Sequence, residues 1–166
     1  MENLFINKWW GNYIGGCDDS FLLLDYFGTS PSDNWSLKQI YEDIHLDSAF
    51  ESGDIENADL YFELEPGLEG NFNMGIDVII DLSAILLECL HNKQVAIRDL
   101  DKSSEYEKNI TISTTKQDIL LLKNGLNEFI NNPQSSELAV MVGEHELAEI
   151  VHDCKAVNDE LGAFIK

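Results

Sequence analysis

The sequence predicts a single α+β domain over residues 1–166, with a mostly antiparallel central sheet of about 4–6 strands flanked by helices and a long C-terminal helix. Three observations carry that expectation. Short stretches of two-residue alternation recur with turn residues between them, as hairpin strands do. Other stretches return their apolar residues at helical spacing, most clearly Leu147, Ile150, Cys154, Val157 and Leu161. No repeat, low-complexity tract or proline-rich linker divides the chain, and 166 residues suit one core.

Residues 3–10 read as a first strand, with Leu4, Ile6 and Lys8 on one face and Phe5, Asn7 and Trp9 on the other. The run Trp9-Trp10-Gly11-Asn12-Tyr13-Ile14-Gly15-Gly16-Cys17-Asp18-Asp19-Ser20 follows as an apolar anchor, a glycine-broken turn and a helix start. Asp18, Asp19 and Ser20 suit the cap of a first helix, because their side chains accept from free N–H groups at the positive end of the dipole. That helix runs to about Phe27, ends at Gly28 and cannot pass Pro31. Ser36-Leu37-Lys38-Gln39 has the form of a capping box, and Leu37, Ile40, Tyr41 and Ile44 keep helical spacing to about His45.

The middle reads as a hairpin: Ala58–Glu65 is rich in strand formers, 66–70 carries Pro and Gly, and Asn71–Ile80 returns. Asp81–Leu90 is apolar nearly all round and predicts a buried helix. Gln94–Leu100 and Glu107–Ser113 read as two more strands, the second polar enough for a sheet edge. Thr115 or Asp118 opens a helix bearing Ile119, Leu122, Leu126, Phe129 and Ile130, closed near Asn132-Pro133. Leu138–Val142 reads as a last, central strand, and Gly143 leads into the C-terminal helix.

Charge narrows the function. Thirty-one acids face ten bases, a net −21, and from Trp9 to Asn92 only Lys38 opposes seventeen acids. A field this negative repels nucleic acid and anionic membranes and draws basic partners. No apolar run approaches the length of a membrane span. Met1-Glu2-Asn3 starts acidic, with no signal-like apolar region after it, and Cys17, Cys89 and Cys154 are odd in number, widely spaced and without a Cys-x-x-Cys, which argues against a disulfide framework or zinc ribbon. The expected location is the cytoplasm.

Each candidate chemistry lacks a part. Glu149-x-x-His152 and His145-Glu146-x-x-Glu149 sit on a helix without the second ligand set that a di-metal or zinc site requires. The 11–16 loop lacks the spacing and the Lys-Ser/Thr of a phosphate loop and runs into two aspartates. The cysteines have acidic or apolar neighbours, which disfavour thiolate. With Arg98 the lone arginine, no basic cluster holds an anionic transition state. The expectation is no catalytic residues, no metal and no cofactor.

A binding surface stands up better. Asp54, Glu56, Asp59, Glu63, Glu65 and Glu69 surround the expected hairpin, with Tyr61, Phe62 and Phe72 interleaved. Carboxylates steer a basic protein and aromatics anchor it.

The stretch Trp10–Ser20, followed by leucines and Tyr26-Phe27, resembles the start of bacterial immunity proteins of the CdiI type, from contact-dependent growth-inhibition and related polymorphic-toxin systems. The likeness covers roughly the first thirty residues; it makes Trp9, Trp10, Gly11, Asn12, Tyr13, Gly15, Gly16, Asp18, Asp19 and Ser20 a structural signature. It implies a non-enzymatic protein, monomeric when free, that neutralises the toxic C-terminal domain of a cognate effector. Some such proteins take a toxin hairpin into their own sheet. Many such toxins are nucleases, and a nuclease is basic because it must approach phosphates, in agreement with the charge. Two other classes stay open on the residues alone: an acidic mimic of nucleic acid that inhibits another DNA- or RNA-binding protein, and a small metal-dependent hydrolase.

Overall fold

The computed structural model describes residues 4–166. It is mostly helical, 58% helix against 10% strand, and the expected central sheet of about 4–6 strands is absent among the described residues. The strands make three separate two-stranded pairs instead.

The elements in chain order are a 3₁₀ turn (Phe5–Lys8), α1 (Asp18–Thr29), β1 (Trp35–Ser36), α2 (Leu37–Ile44), α3 (Leu46–Ser52), β2 (Tyr61–Glu65), β3 (Leu68–Asn71) and α4 (Gly75–Asn92). There follow β4 (Val95–Ala96), α5 (Ile97–Leu100), β5 (Asn109–Ile110), β6 (Ile112–Ser113), α6 (Lys116–Asn131), a 3₁₀ turn (Pro133–Ser135), α7 (Leu138–Met141) and α8 (Glu144–Gly162).

Helix α4 is the centre. Every residue from Gly75 to Cys89 is buried, and the first 3₁₀ turn, α1, α6 and α8 all pack on it. A helix covered on all sides needs no amphipathic stripe, so its period carries little signal. That explains the largest error of the sequence reading: Met74–Ile80 looks like a strand because Ile76, Val78, Ile79 and Ile80 are β-branched, yet it forms the first half of α4. The hairpin's second strand therefore stops at Asn71. Packing on every face outweighs the few tenths of a kcal/mol that each β-branched residue costs in a helix.

Four other expected strands also change. Instead of a strand over 3–10 there is a 3₁₀ turn, Phe5–Lys8, with Ile6 in it and Trp9 after it buried; Asn3, the first residue of the expected strand, lies outside the described residues. Gln94–Leu100 and Glu107–Ser113 shrink to two-residue bridges, β4 antiparallel to β5 and β6 parallel to β1. Leu138–Val142 contributes a single helical turn, with Leu138 buried but Val140 86% and Met141 66% exposed. None of these segments has neighbours on both sides to extend a ladder.

Helix starts follow local chemistry. Ser36 Oγ accepts from Gln39 N–H at 3.0 Å, and Thr115 Oγ1 from Asp118 N–H at 3.2 Å, capping α2 and α6. On α8, Leu147, Ile150, Cys154, Val157 and Leu161 are buried and face α4 and α6. The hairpin β2–β3 lies against α1 and α2, with Phe62 buried between Tyr26 and Phe72.

Candidate partner-binding surface

The chain's acids fall into two populations. The first is buried where the 4–20 segment meets α4. Asp77, Asp81 and Glu88 share one side of α4 at i, i+4 and i+11. Each receives a donor from the N-terminal segment: Tyr13 Oη to Asp77 Oδ1 at 2.7 Å, Gly15 N–H to Asp81 Oδ1 at 3.0 Å, and Ile6 N–H to Glu88 Oε1 at 2.8 Å. Ser20 Oγ donates to the other Asp81 oxygen, and Trp10 Nε1 to Leu100 C=O at 2.9 Å.

Asp19 is buried too, and it does not cap its own helix. Its oxygens accept from Asn73 and Met74 N–H at 2.8 and 3.0 Å, next to the start of α4. The N-cap of α1 is Cys17, whose N–H donates to Ser20 Oγ at 3.3 Å. Gly15 has φ 80°, and a Cβ there would come within 2.3 Å of the Trp10 ring, so only glycine fits. Around Trp9, Gly11, Asn12, Gly16 and Asp18 the structure shows a turn packed on the core through Trp9 and Ile14. Burial pushes the Asp77 and Asp81 carboxyls upward, Asp81 to about 7, with Asp19 adding like charge to both.

The second population is exposed. Asp54, Glu56 and Asp59 lie on the loop after α3, and Glu63, Glu65 and Glu69 on the hairpin. Glu63 stands directly across from Glu69, and Glu65 across from Leu68, with Leu64 as an extra residue between the two pairs. Among the described residues no Lys or Arg forms an ion pair with these acids. Like charges directly opposite destabilise a strand pair. At the tip, Gly67 takes φ 83° and Leu68 is 50% exposed.

The eight residues singled out from the sequence do not form one patch. Asp54, Asp59 and Tyr61 line a cleft of about 450 Å³ with His45, whose ring stacks on Tyr61 at 4.0 Å. Asn57 donates to both Asp54 oxygens from its side chain and backbone, holding that carboxyl below its ordinary range. Glu56 faces the opposite side of the loop, where it accepts from Glu137 N–H at 3.2 Å. Glu63, Glu65 and Glu69 make a separate group on the hairpin. Phe72 is half-buried against Phe62 and belongs to the packing.

The sequence reading missed a feature across the loop. Two clefts, about 470 and 410 Å³, share Gly53, Ile55, Gly125, Glu128 and Asn131, and so form one groove between the 53–56 loop and α6. Its α6 wall is a row of exposed Asn124, Asn127, Glu128 and Asn131, at i, i+3, i+4 and i+7. Asparagine is a poor helix former, costing roughly 0.5–0.7 kcal/mol per site against alanine. Asn127 has an internal use, accepting from Asn158 Nδ2 at 2.7 Å, so the available signal was Asn124 and Asn131 on the exposed face of α6, where Lys, Glu or Gln would hold the helix better.

Other chemistry finds less support. Burial pushes the Cys17 and Cys89 thiols up to about 12 and Cys154 upward as well, away from the nucleophilic thiolate. Among the described residues no group of three or more His, Cys, Asp or Glu is arranged to hold a metal ion. His145 lies 3.4 Å from Glu149 on the exposed face of α8. No described helix is long and apolar enough to cross a membrane.

Residues 5–161 match the sequence model of a family described as Imm68, immunity protein 68. No curated protein and no solved structure gives a match.

Proposed function

The chain belongs to the immunity protein 68 family, and from that premise we propose that it neutralises a basic nuclease domain of its cognate toxin by one-to-one binding through the exposed acids of β2–β3 and the 54–59 loop. Immunity function and a cognate toxin partner come with the family, whose members act in general as non-enzymatic inhibitors. Delivery by a contact-dependent or related polymorphic-toxin system, and action in the cytoplasm, are part of the same proposal.

One observation carries the surface assignment: Glu63 faces Glu69 in register, with Glu65 and the exposed Leu68 beside them and, among the described residues, no Lys or Arg in an ion pair with these acids. A fold has no use for that repulsion, whereas a basic partner relieves it. Carboxylates around an exposed leucine also match how such interfaces work, with charge setting the encounter rate and an apolar side chain slowing release. Among the described residues the hairpin is two-stranded, so there each strand keeps one edge without a sheet partner. Strand addition by the toxin would use such an edge; the large receiving sheet that the sequence led us to expect is not formed among the described residues.

The test is co-expression with the toxin encoded beside this chain's gene. Rescue of growth and a stable one-to-one complex are expected; neither appearing would sink the proposal. Reversing Glu63 and Glu65 to lysine should slow association about tenfold at low salt, and an unchanged rate would move the surface elsewhere. Inhibition of unrelated nucleases as strong as that of the cognate one would favour a nucleic-acid mimic.

A further inference from the structure

The groove between α6 and the 53–56 loop is not part of the hairpin surface, and its composition is specific. Its floor is apolar, formed by Phe50, Ile55, Ile76 and Phe129. Every ionisable side chain lining it is an acid: Asp54 and Glu56 on the loop, Glu128 on α6. Along the rim run the amides of Asn124 and Asn131, each offering one acceptor and two donors.

We propose that this groove seats an extended, basic segment of the cognate toxin domain. An extended chain presents N–H and C=O groups alternately, and an asparagine amide pairs with either. The step of seven residues from Asn124 to Asn131 rises about 10 Å along α6, the length of about three residues of extended chain. Two amides at that separation bracket a short segment, Glu128 lies between them for a Lys or Arg, and the floor takes an apolar side chain. Nucleic acid is a poor occupant, because the three lining acids would repel phosphate. A second copy is opposed by the net charge of −21 that each chain carries.

The inference rests on the toxin-binding reading, so the measurement separates the two. Affinity for the catalytically inactivated toxin domain from the adjacent gene is compared for the wild-type chain, Glu128→Lys and the double variant Asn124→Ala/Asn131→Ala. All three positions are exposed on α6, so the variants fold; alanine there should keep or raise the melting temperature. Charge reversal should weaken binding about tenfold and the double variant roughly fivefold. Wild-type affinity in both variants overturns the groove and leaves toxin neutralisation standing. Failure of the wild-type chain itself to bind overturns both. A dimer of the free chain that these variants dissolve would place a second copy in the groove and overturn the inference as well.

Discussion

Where the N-terminal segment crosses α4, four buried carboxylates are each met by donors: Asp19 by two backbone N–H groups, Asp77 by Tyr13, Asp81 by Gly15 and Ser20, and Glu88 by Ile6 and Asn92. On β2–β3, Glu63, Glu65 and Glu69 stand in water, and two of them face one another. The side chains are chemically alike. What differs is who satisfies them. Inside, acids bind distant parts of this chain together, because a buried N–H without an acceptor is expensive and a carboxylate accepts several at once. Outside, acids left uncompensated are available to a second molecule. A composition of −21 therefore divides into a structural share and an interfacial share, and substitutions can tell them apart.

The largest effect is expected inside. Asp81→Ala strands the Gly15 N–H and the Ser20 hydroxyl, both buried, and detaches the Gly11–Gly16 turn from α4. Urea unfolding should show a loss of about 3 kcal/mol. Glu65→Ala, which removes an exposed acid, should change stability by less than about 0.5 kcal/mol. Equal losses in the two variants would erase the distinction.

Next comes pH. The folded chain holds protons on Asp77 and Asp81 more tightly than the unfolded chain does, since burial raises both carboxyls from the ordinary 3.8 and takes Asp81 to about 7. Their contribution is thus fully present below pH 4 and is lost as the pH rises through about 7. Stability should fall by on the order of 2 kcal/mol between pH 5.5 and 8, and Asp81→Asn should flatten the slope. A flat profile over this range would mean that these carboxyls stay ionised in the fold.

How much of this was legible follows the same division. The helices α2, α6 and α8 could be read because each has a solvent face, a cap residue or a stripe such as Leu147–Leu161. The hairpin turn was legible in Pro66-Gly67. The first half of α4 was not, since a helix buried all round shows no period and its Val78-Ile79-Ile80 favours a strand. Asp77 and Asp81 look like ordinary solvent acids in sequence; their donors sit more than sixty residues earlier, at Tyr13 and Gly15. The Trp9–Ser20 stretch could be recognised as a motif, but the partners that give it a purpose could not. The exposed acids were legible as a group, yet the loop's two faces split Asp59 from Glu56, with Asp54 bordering both, in a way that no spacing reveals.

The smallest expected effect tests the comparison most sharply, because its sign differs from the rest. Glu63 and Glu69 are cross-strand neighbours, and like charges so placed cost a few tenths of a kcal/mol. Glu69→Gln removes the repulsion while keeping the side chain's shape, so the free protein should gain about 0.3 kcal/mol in urea unfolding. The same substitution removes a charge that a basic toxin would meet, so association at low salt should slow. A residue whose loss improves the fold and impairs capture is kept for the partner. If Glu69→Gln destabilised the chain instead, the hairpin acids would join Asp81 as parts of the fold, and the surface would have to be sought along α6.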